Sequence, residues 1–325
     1  MTARRDLLQI AVFFVAVALL AIFSRSGVML NFTMMALYGA LMAQSWNLLG
    51  GFGGQFSFGH ALFFGTGAYL QAIAQLQWGM NPWVALPLAM AGAALVALFF
   101  GALSFRYGLR GSYFALVTLA FAEVFRIVAL SVPFTGAGVG LMLPLRESAA
   151  NMQFADRRGF VWLVLALVTV ALLLTTWLRH SRFGASLQAV RDNEDAAQAV
   201  GVDPFRTKLG AIALSGALMG AAGAFYVQVF QYIDPAIAYG PHTSVEALVA
   251  AIVGGLGTLW GPVVGALALH LLADLTRNLF GALPGINMVI YGAVLVVIVM
   301  FAPRGLLGMG QSVRALWRRG EKRHG

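Results

Sequence analysis

Residues 160–178 read FVWLVLALVTVALLLTTWL, and residues 179–208 read RHSRFGASLQAVRDNEDAAQAVGVDPFRTK. The first stretch has no charge over 19 positions and is followed by the longest polar island in the chain. About 20 apolar residues in helical form cross the hydrocarbon of a bilayer. Similar runs recur on both sides of the island, and the whole chain of 325 residues is 60% hydrophobic, 10% charged, with mean hydropathy +0.82. Soluble domains carry about 25% charged residues. Such a chain has too little polar surface to face water all round, so its fold class is an all-α, polytopic membrane helical bundle.

Ten spans are expected, near residues 7–23, 30–49, 57–76, 83–103, 112–132, 160–178, 209–230, 245–258, 262–280 and 285–302, in one transmembrane domain over 1–325. Met1 to Asp6, with Arg4 and Arg5, precedes the first run; the run is longer than a signal-peptide core, so an uncleaved first span is expected. Basic residues favour one side. Arg4, Arg5, Arg106, Arg110, those of 179–208 and those of the basic tail 303–325 outnumber Arg25, Arg146, Arg157, Arg158 and Arg277 by about three to one. This predicts both termini on the cytoplasmic side. The net charge of +9 therefore speaks to orientation and anionic lipid, with no nucleic-acid partner expected. Cysteine is absent, which excludes disulfides and thiolate chemistry.

The island holds a short helix signal. Asp192 or Asn193 can cap an N-terminus, and Glu194 and Asp195 place negative charge in the first turn, where free N–H groups and the dipole favour it. Ala196 to Val200 continue the helix, Gly201 suits a left-handed residue just past its end, and Pro204 forbids continuation. A helix of about two turns is too short to stand alone in water. It must lie against something, and a docked helix between two spans is a candidate contact surface.

Two glycine-rich breaks interrupt the apolar runs: Gly50-Gly51-Phe52-Gly53-Gly54-Gln55-Phe56-Ser57-Phe58-Gly59 and Gly254-Gly255-Leu256-Gly257. Each allows two readings. Small residues let helices pack closely in membranes, and irregular backbone at membrane depth lines cavities where transporters place their sites. Residues 245–258 are a candidate re-entrant or broken helix. Gln44, Ser45, Asn47, Gln55 and Ser57 put hydrogen-bonding groups beside the first break. Glu123 and Arg126, three apart, share a helix face near the middle of a span and need a partner or water there; they either tie helices together or contact a passing solute. His270, Asp274 and Arg277 form a second stripe, read as structural or interfacial. The loop 133–159 is long enough to be a docking surface for an external partner or a solvated connection.

Catalytic patterns are missing. No GxxxxGK[ST], HExxH or GxSxG occurs, and the five histidines lack ligand spacing, so no catalytic residue, metal or cofactor is expected on this chain. Without a chain of buried acids or an ion-filter signature, the sequence looks built to pass something polar without an ion gradient. A self-sufficient transporter or channel is the competing expectation.

Four stretches carry a resemblance that spans most of the chain. They are Trp46-Asn47-Leu48-Leu49-Gly50-Gly51 with Gln55 to His60 and Gly65 to Tyr69; Gly111 to Glu123; Arg182-Phe183-Gly184 through Gly201; and Phe301-Ala302-Pro303-Arg304-Gly305-Leu306. In them the sequence resembles permease subunits of branched-chain amino acid ABC importers, the LivM type more than the LivH type. Related permeases carry urea or short-chain amides, so the resemblance leaves the solute open. It implies a bacterial inner-membrane protein paired with a LivH-like permease, two cytoplasmic ABC ATPase subunits and a periplasmic substrate-binding protein, with ATP acting on the partner ATPases. The 179–208 segment then corresponds to the cytoplasmic coupling loop, in which Asp195-Ala196-Ala197 and Gly201 resemble a diverged EAA…G pattern, Asp standing for the usual Glu. Gly184, Arg191, Glu194, Asp195, Ala196, Ala197 and Gly201 are the expected coupling residues. Asn47, Gln55, Ser57, Tyr113, Thr118 and Glu123 are the expected lining of the substrate pathway.

Overall fold

The computed structural model describes residues 3–280, 286–301 and 305–308. Its helices are α1 (Ala3–Phe23), α2 (Gly27–Asn47), α3 (His60–Leu76), α4 (Pro82–Arg106), α5 (Gly111–Ser131), α6 (Arg157–His180), α7 (Arg182–Asp192), α8 (Glu194–Ala199), α9 (Pro204–Phe230), α10 (Pro235–Tyr239), α11 (Pro241–Gly254), α12 (Gly261–Phe280) and α13 (Ile286–Phe301). A two-residue ribbon pairs β1 (Leu141–Met142) antiparallel with β2 (Tyr232–Ile233). Among the described residues, seven helical segments are long and apolar enough to cross a membrane: α1, α2 with its π-helical extension to Phe52, α4, α5, α6, α9, and α10 with α11. The other three expected spans coincide with shorter or less apolar helices: α3 has 17 residues, α12 is apolar over Gly261–Thr276, and α13 has 16. The basic tail expected at 303–325 lies outside the described residues apart from 305–308.

The centre of the bundle is α2, α3, α4 and α9, and small residues make it. Ala85, Ala89, Ala93, Ala97 and Gly101 recur every four residues on α4 and are buried, while Leu95, Phe99 and Leu103 on its other side are exposed. Their stripe meets Gly216 and Gly220 of α9, where a Cβ would lie 2.5 Å from Ala97 and Ala93 respectively. Lipid tails are as apolar as leucine, so burial from water does not drive this contact; close backbone approach and dispersion do. Gly67 of α3 meets the Gly220 backbone, and Gly223 meets Phe64 and Ala68, so α3 seats on α9 by the same device.

Polar side chains fasten the helices. Gln44 donates to Thr175 Oγ1 at 2.6 Å, Ser45 donates to the Ser215 carbonyl at 2.7 Å, and Ser215 returns a bond to the Ser45 carbonyl at 2.8 Å. The His60 ring nitrogen Nε2 sits 2.9 Å from Ser215 Oγ. The groups expected beside the first break are in part committed to this knot. Asp6, buried, accepts from Arg179 at 2.9 Å and pairs with His180 at 3.1 Å, pinning α1 to the end of α6.

The island and the loop 133–159 lie at opposite ends of the bundle. At the far end, β1–β2 and short 3-10 turns order the loop, and Gln153 stitches it by accepting from Arg146 N and donating to the Pro144 carbonyl. Arg158 donates to the Ser24 carbonyl at 3.0 Å, and Asn81 donates to the Ala150 carbonyl at 3.2 Å.

Candidate coupling junction and pathway face

The polar island folds as two consecutive helices, α7 and α8, where sequence reasoning expected one. The missed α7 has local signals. Ser181 caps it by accepting from Gly184 N at 3.1 Å, and Phe183, Leu187 and Val190 fall on one face at helical spacing, the last two buried. Gly184 permits the sharp corner with α6, since a Cβ there would collide with the Leu178 carbonyl. The expected helix is α8. Of its two candidate caps Asn193 is the one used, accepting from Ala196 N at 3.0 Å, while Asp192 ends α7. Gly201 takes φ +89 with nothing within 4 Å of a built Cβ. Its left-handed backbone turns the chain towards Pro204, the first residue of α9, which Asp203 caps.

These two helices grip different parts of the bundle. In α7, Leu187 packs near Gly53, and Arg191 donates from Nη1 to the Gly51 carbonyl at 3.1 Å. A Cβ on Gly54, at φ +66, would sit 2.5 Å from Arg191 Cγ, and one on Gly257 would sit 3.5 Å from Arg191 Nη1. Asp192 steers the guanidinium, taking Nε and Nη2 at 2.9 Å each. Asn47 completes the junction by donating to the Thr258 carbonyl at 3.0 Å and accepting from Gly257 N at 2.8 Å. Both glycine-rich breaks therefore meet each other and the last turn of α7. Their backbones approach so closely that a Cβ on Gly51 would lie 2.5 Å from Gly257 N. Gly305, at φ +68, lies against Gly254 and Gly255 in the same way.

On α8, Glu194 accepts from Lys208 Nζ at 2.6 Å and pairs with Arg110 Nε at 3.1 Å; Asp195 stands 3.8 Å from Arg110 Nη2. Lys208, only 4% exposed at its side chain, lies 5.6 Å over the Phe105 ring. Glu194 thus joins α8 to the start of α9 and to the turn before α5. Ala197 is buried beneath, while Asp195, Ala196, Ala199 and Val200 face outward without a partner among the described residues, save the Arg110 contact of Asp195.

The first break is a π-helical turn, Leu48–Phe52, followed by irregular chain to Gly59. The glycines allow close packing, and the backbone is broken. Gln55 N bonds the Leu49 carbonyl, the Gln55 amide donates to the Gly53 carbonyl at 3.3 Å, and Ser57 Oγ accepts from Gly59 N. Trp46 Nε1 holds the Ser57 carbonyl at 2.8 Å. Asn47, Gln55 and Ser57 are buried and support this turn from within. Phe56 and Phe58 project outward beside Gly111, Ser112, Ala115 and Leu116, bordering a cleft of about 430 Å³.

The remaining expected pathway residues lie on α5 and do not share one face. Thr118 is buried, donates to the Ala115 carbonyl at 2.8 Å, and backs onto Gly59. Tyr113 and Glu123 lie on the opposite, open side with Leu116, Ala120 and Ile127. Glu123 and Arg126 form a two-pronged pair at 2.6 and 2.9 Å within α5 and, among the described residues, tie no second helix. Sequence reasoning also passed over Glu246, which sits on α11 with His242 at 3.8 Å and a side chain 20% exposed. Its only sequence signal is an acid inside an apolar run. His270 packs its ring against Phe32, a structural contact on α12.

The family described as branched-chain amino acid transport system / permease component matches residues 28–299, which include both breaks, α5 and the island. The chain belongs to this permease family. It is 28% identical to the high-affinity branched-chain amino acid transport system permease protein LivM of Escherichia coli K12, over 95% of this chain and 76% of that protein. The LivM protein of Salmonella typhimurium gives the same identity and shares. LivH of Escherichia coli K12 is 24% identical over 83% of this chain and 91% of its own length. The permease thus aligns over more of its length with LivM than with LivH, in keeping with the resemblance read from its motifs.

Proposed function

We propose that this permease forms one half of the translocation pathway of an ATP-driven importer for branched-chain or related hydrophobic amino acids. A separate ATPase would act on it through α7 and α8. One observation carries this reading: Arg191, in the last turn of α7, is bonded to the first glycine-rich break, and Asn47 bonds that break to the second, so displacement of the island acts on irregular backbone inside the bundle. The outward face of α8 is the surface for the ATPase, with Gly184, Arg191, Glu194 and Ala197 transmitting the movement to the bundle, Gly201 turning the chain at the end of the helix, and Asp195 and Ala196 in contact. The LivM and LivH relatives support a pair of unlike permeases, with α5 and the Phe56–Phe58 cleft towards the shared pathway. The ordered loop 133–159 would receive an external binding protein, and the island and both termini would then lie on the cytoplasmic side of the inner membrane. ATP hydrolysis that changes the ATPase spacing would bias two arrangements of the breaks.

Reconstitution tests it. This chain with its companion permease, ATPases and binding protein should accumulate leucine, isoleucine or valine in liposomes only when ATP is present on the island side. Uptake by this chain alone, or uptake unaffected by removing ATP, overturns the reading. Uptake of urea or a short-chain amide in place of amino acids would keep the mechanism and replace the solute.

A further inference from the structure

An ion pair at mid-membrane depth that, among the described residues, fastens no second helix needs another explanation. Glu123 lies about 18 Å along α5 from Gly111 at 1.5 Å per residue, within a segment long enough to span. Charges at such depth are costly, and intramembrane ion pairs mark solute pathways or buried contacts. Here the bonds between Glu123 and Arg126 stay within one helix, and the side chains remain 46% and 29% exposed on its open face. The pair therefore requires water, a polar solute or a polar surface of the companion permease on that face in place of lipid.

Resting on the importer reading above, we propose that Glu123 and Arg126 form a binding site for the paired charges of a zwitterionic amino acid during passage. The bond pattern leaves the geometry open for it. Arg126 spends Nε and one Nη2 hydrogen on the carboxylate, so Nη1 and the outer Nη2 hydrogen stay available, as do the outer lone pairs of Glu123. A substrate lying antiparallel to the pair sets its carboxylate on Arg126 and its ammonium on Glu123. Four charges then alternate, and neither end of the solute enters the membrane unpaired. Leu116, Ala120 and Ile127 on the same face supply apolar surface for the substrate side chain. Leu116 also borders the cleft between Phe56 and Phe58 of the first break and the start of α5, about two turns along the helix from Glu123. Selection here is for the backbone charges, with weak preference among apolar side chains.

The test uses the reconstituted complex and the double variant Glu123→Gln/Arg126→Gln, which keeps shape and a hydrogen-bonded pair but removes both charges. Leucine uptake should fall at least tenfold, while complex yield and ATP hydrolysis stimulated by loaded binding protein stay within twofold. Uptake within twofold of the parent, or loss of uptake in step with complex yield, overturns the site and leaves a structural pair. The chain has no cysteine, so Ala120→Cys gives a second measurement. A water-soluble thiosulfonate should label it in the complex, and leucine should protect it where 4-methylpentanoate and leucinamide do not. No labelling, or equal protection by all three, overturns the site. A parent complex that transports without ATP would refute the importer reading instead.

Discussion

Asn47 shows how much one side chain can hold when it sits where backbone is broken. It supplies a donor to Thr258 and an acceptor to Gly257, at a site with no water exposure of its own. Asn47→Leu strands both backbone groups, at a cost of roughly 1–3 kcal/mol each. The expected outcome is a drop of several degrees in the thermal unfolding midpoint of the purified permease, and an unchanged midpoint refutes the bridging role. The second residue-scale prediction concerns Glu194 and Lys208. Glu194→Ala leaves the buried Lys208 ammonium without its carboxylate, and breaking a buried pair typically costs about 3–5 kcal/mol. Adding Lys208→Met removes the stranded charge, so the double variant should be more stable than the single one; equal stability in chemical unfolding would show that the pair is not coupled. Neither arrangement is legible in the sequence. Asn47 and Gly257 are 210 positions apart, and nothing local in either segment names the other.

At the scale of elements, what could be read was what is written locally. The start and stop of α8 follow from Asn193, Glu194, Gly201 and Pro204 because caps and left-handed turns are properties of a few adjacent residues. The open surroundings of Gly201 sharpen its prediction. With no atom near a Cβ, substitution costs only the left-handed backbone, about 1–2 kcal/mol for an ordinary residue. Gly201→Val should abolish association with the ATPase at unchanged membrane abundance, whereas Gly201→Asn, which tolerates that conformation, should keep it; co-purification reads both. Normal association of the valine variant removes the docking role. Gly220 fails differently because it is crowded, by Ala93 on one side and by α3 on the other. Gly220→Leu should separate α4 from α9 and lower the amount of folded protein in the membrane, measured by size-exclusion yield. Small-residue packing is one of two readings of the glycine-rich breaks, and the α4–α9 contact is not read from the sequence at all, because the partner of each glycine depends on tertiary contacts. The same holds for α5: its helical period put Glu123 and Arg126 on one side, yet only the packed bundle shows that this side is open and that Thr118 faces away from it.

Over the whole molecule, the decisive quantity is the position of the two ends relative to the membrane, because the importer reading fails if the island faces outward. The bundle separates them cleanly: Val200 on the α8 end and Val139 in the ordered loop at the far end are 79% and 81% exposed. Basic residues concentrate at the α8 end, where Arg106, Arg110, Arg179, Arg182, Arg191, Arg206 and Lys208 gather around α7 to α9. Positive loops stay cytoplasmic, so this end should be inside. Because the parent chain lacks cysteine, Val200→Cys and Val139→Cys each introduce one thiol. In intact cells with a permeabilised outer membrane, an impermeant maleimide should modify the position 139 variant and spare the position 200 variant. In inverted vesicles the pattern should reverse. Saturating ATPase subunits should then protect the thiol at position 200 in the inverted vesicles and leave position 139 unaffected, since only the α8 face receives them. Labelling of position 200 from outside would put the coupling helix on the wrong side for nucleotide, and with it would go the route by which work on α8 reaches Arg191, the two breaks and the open face of α5.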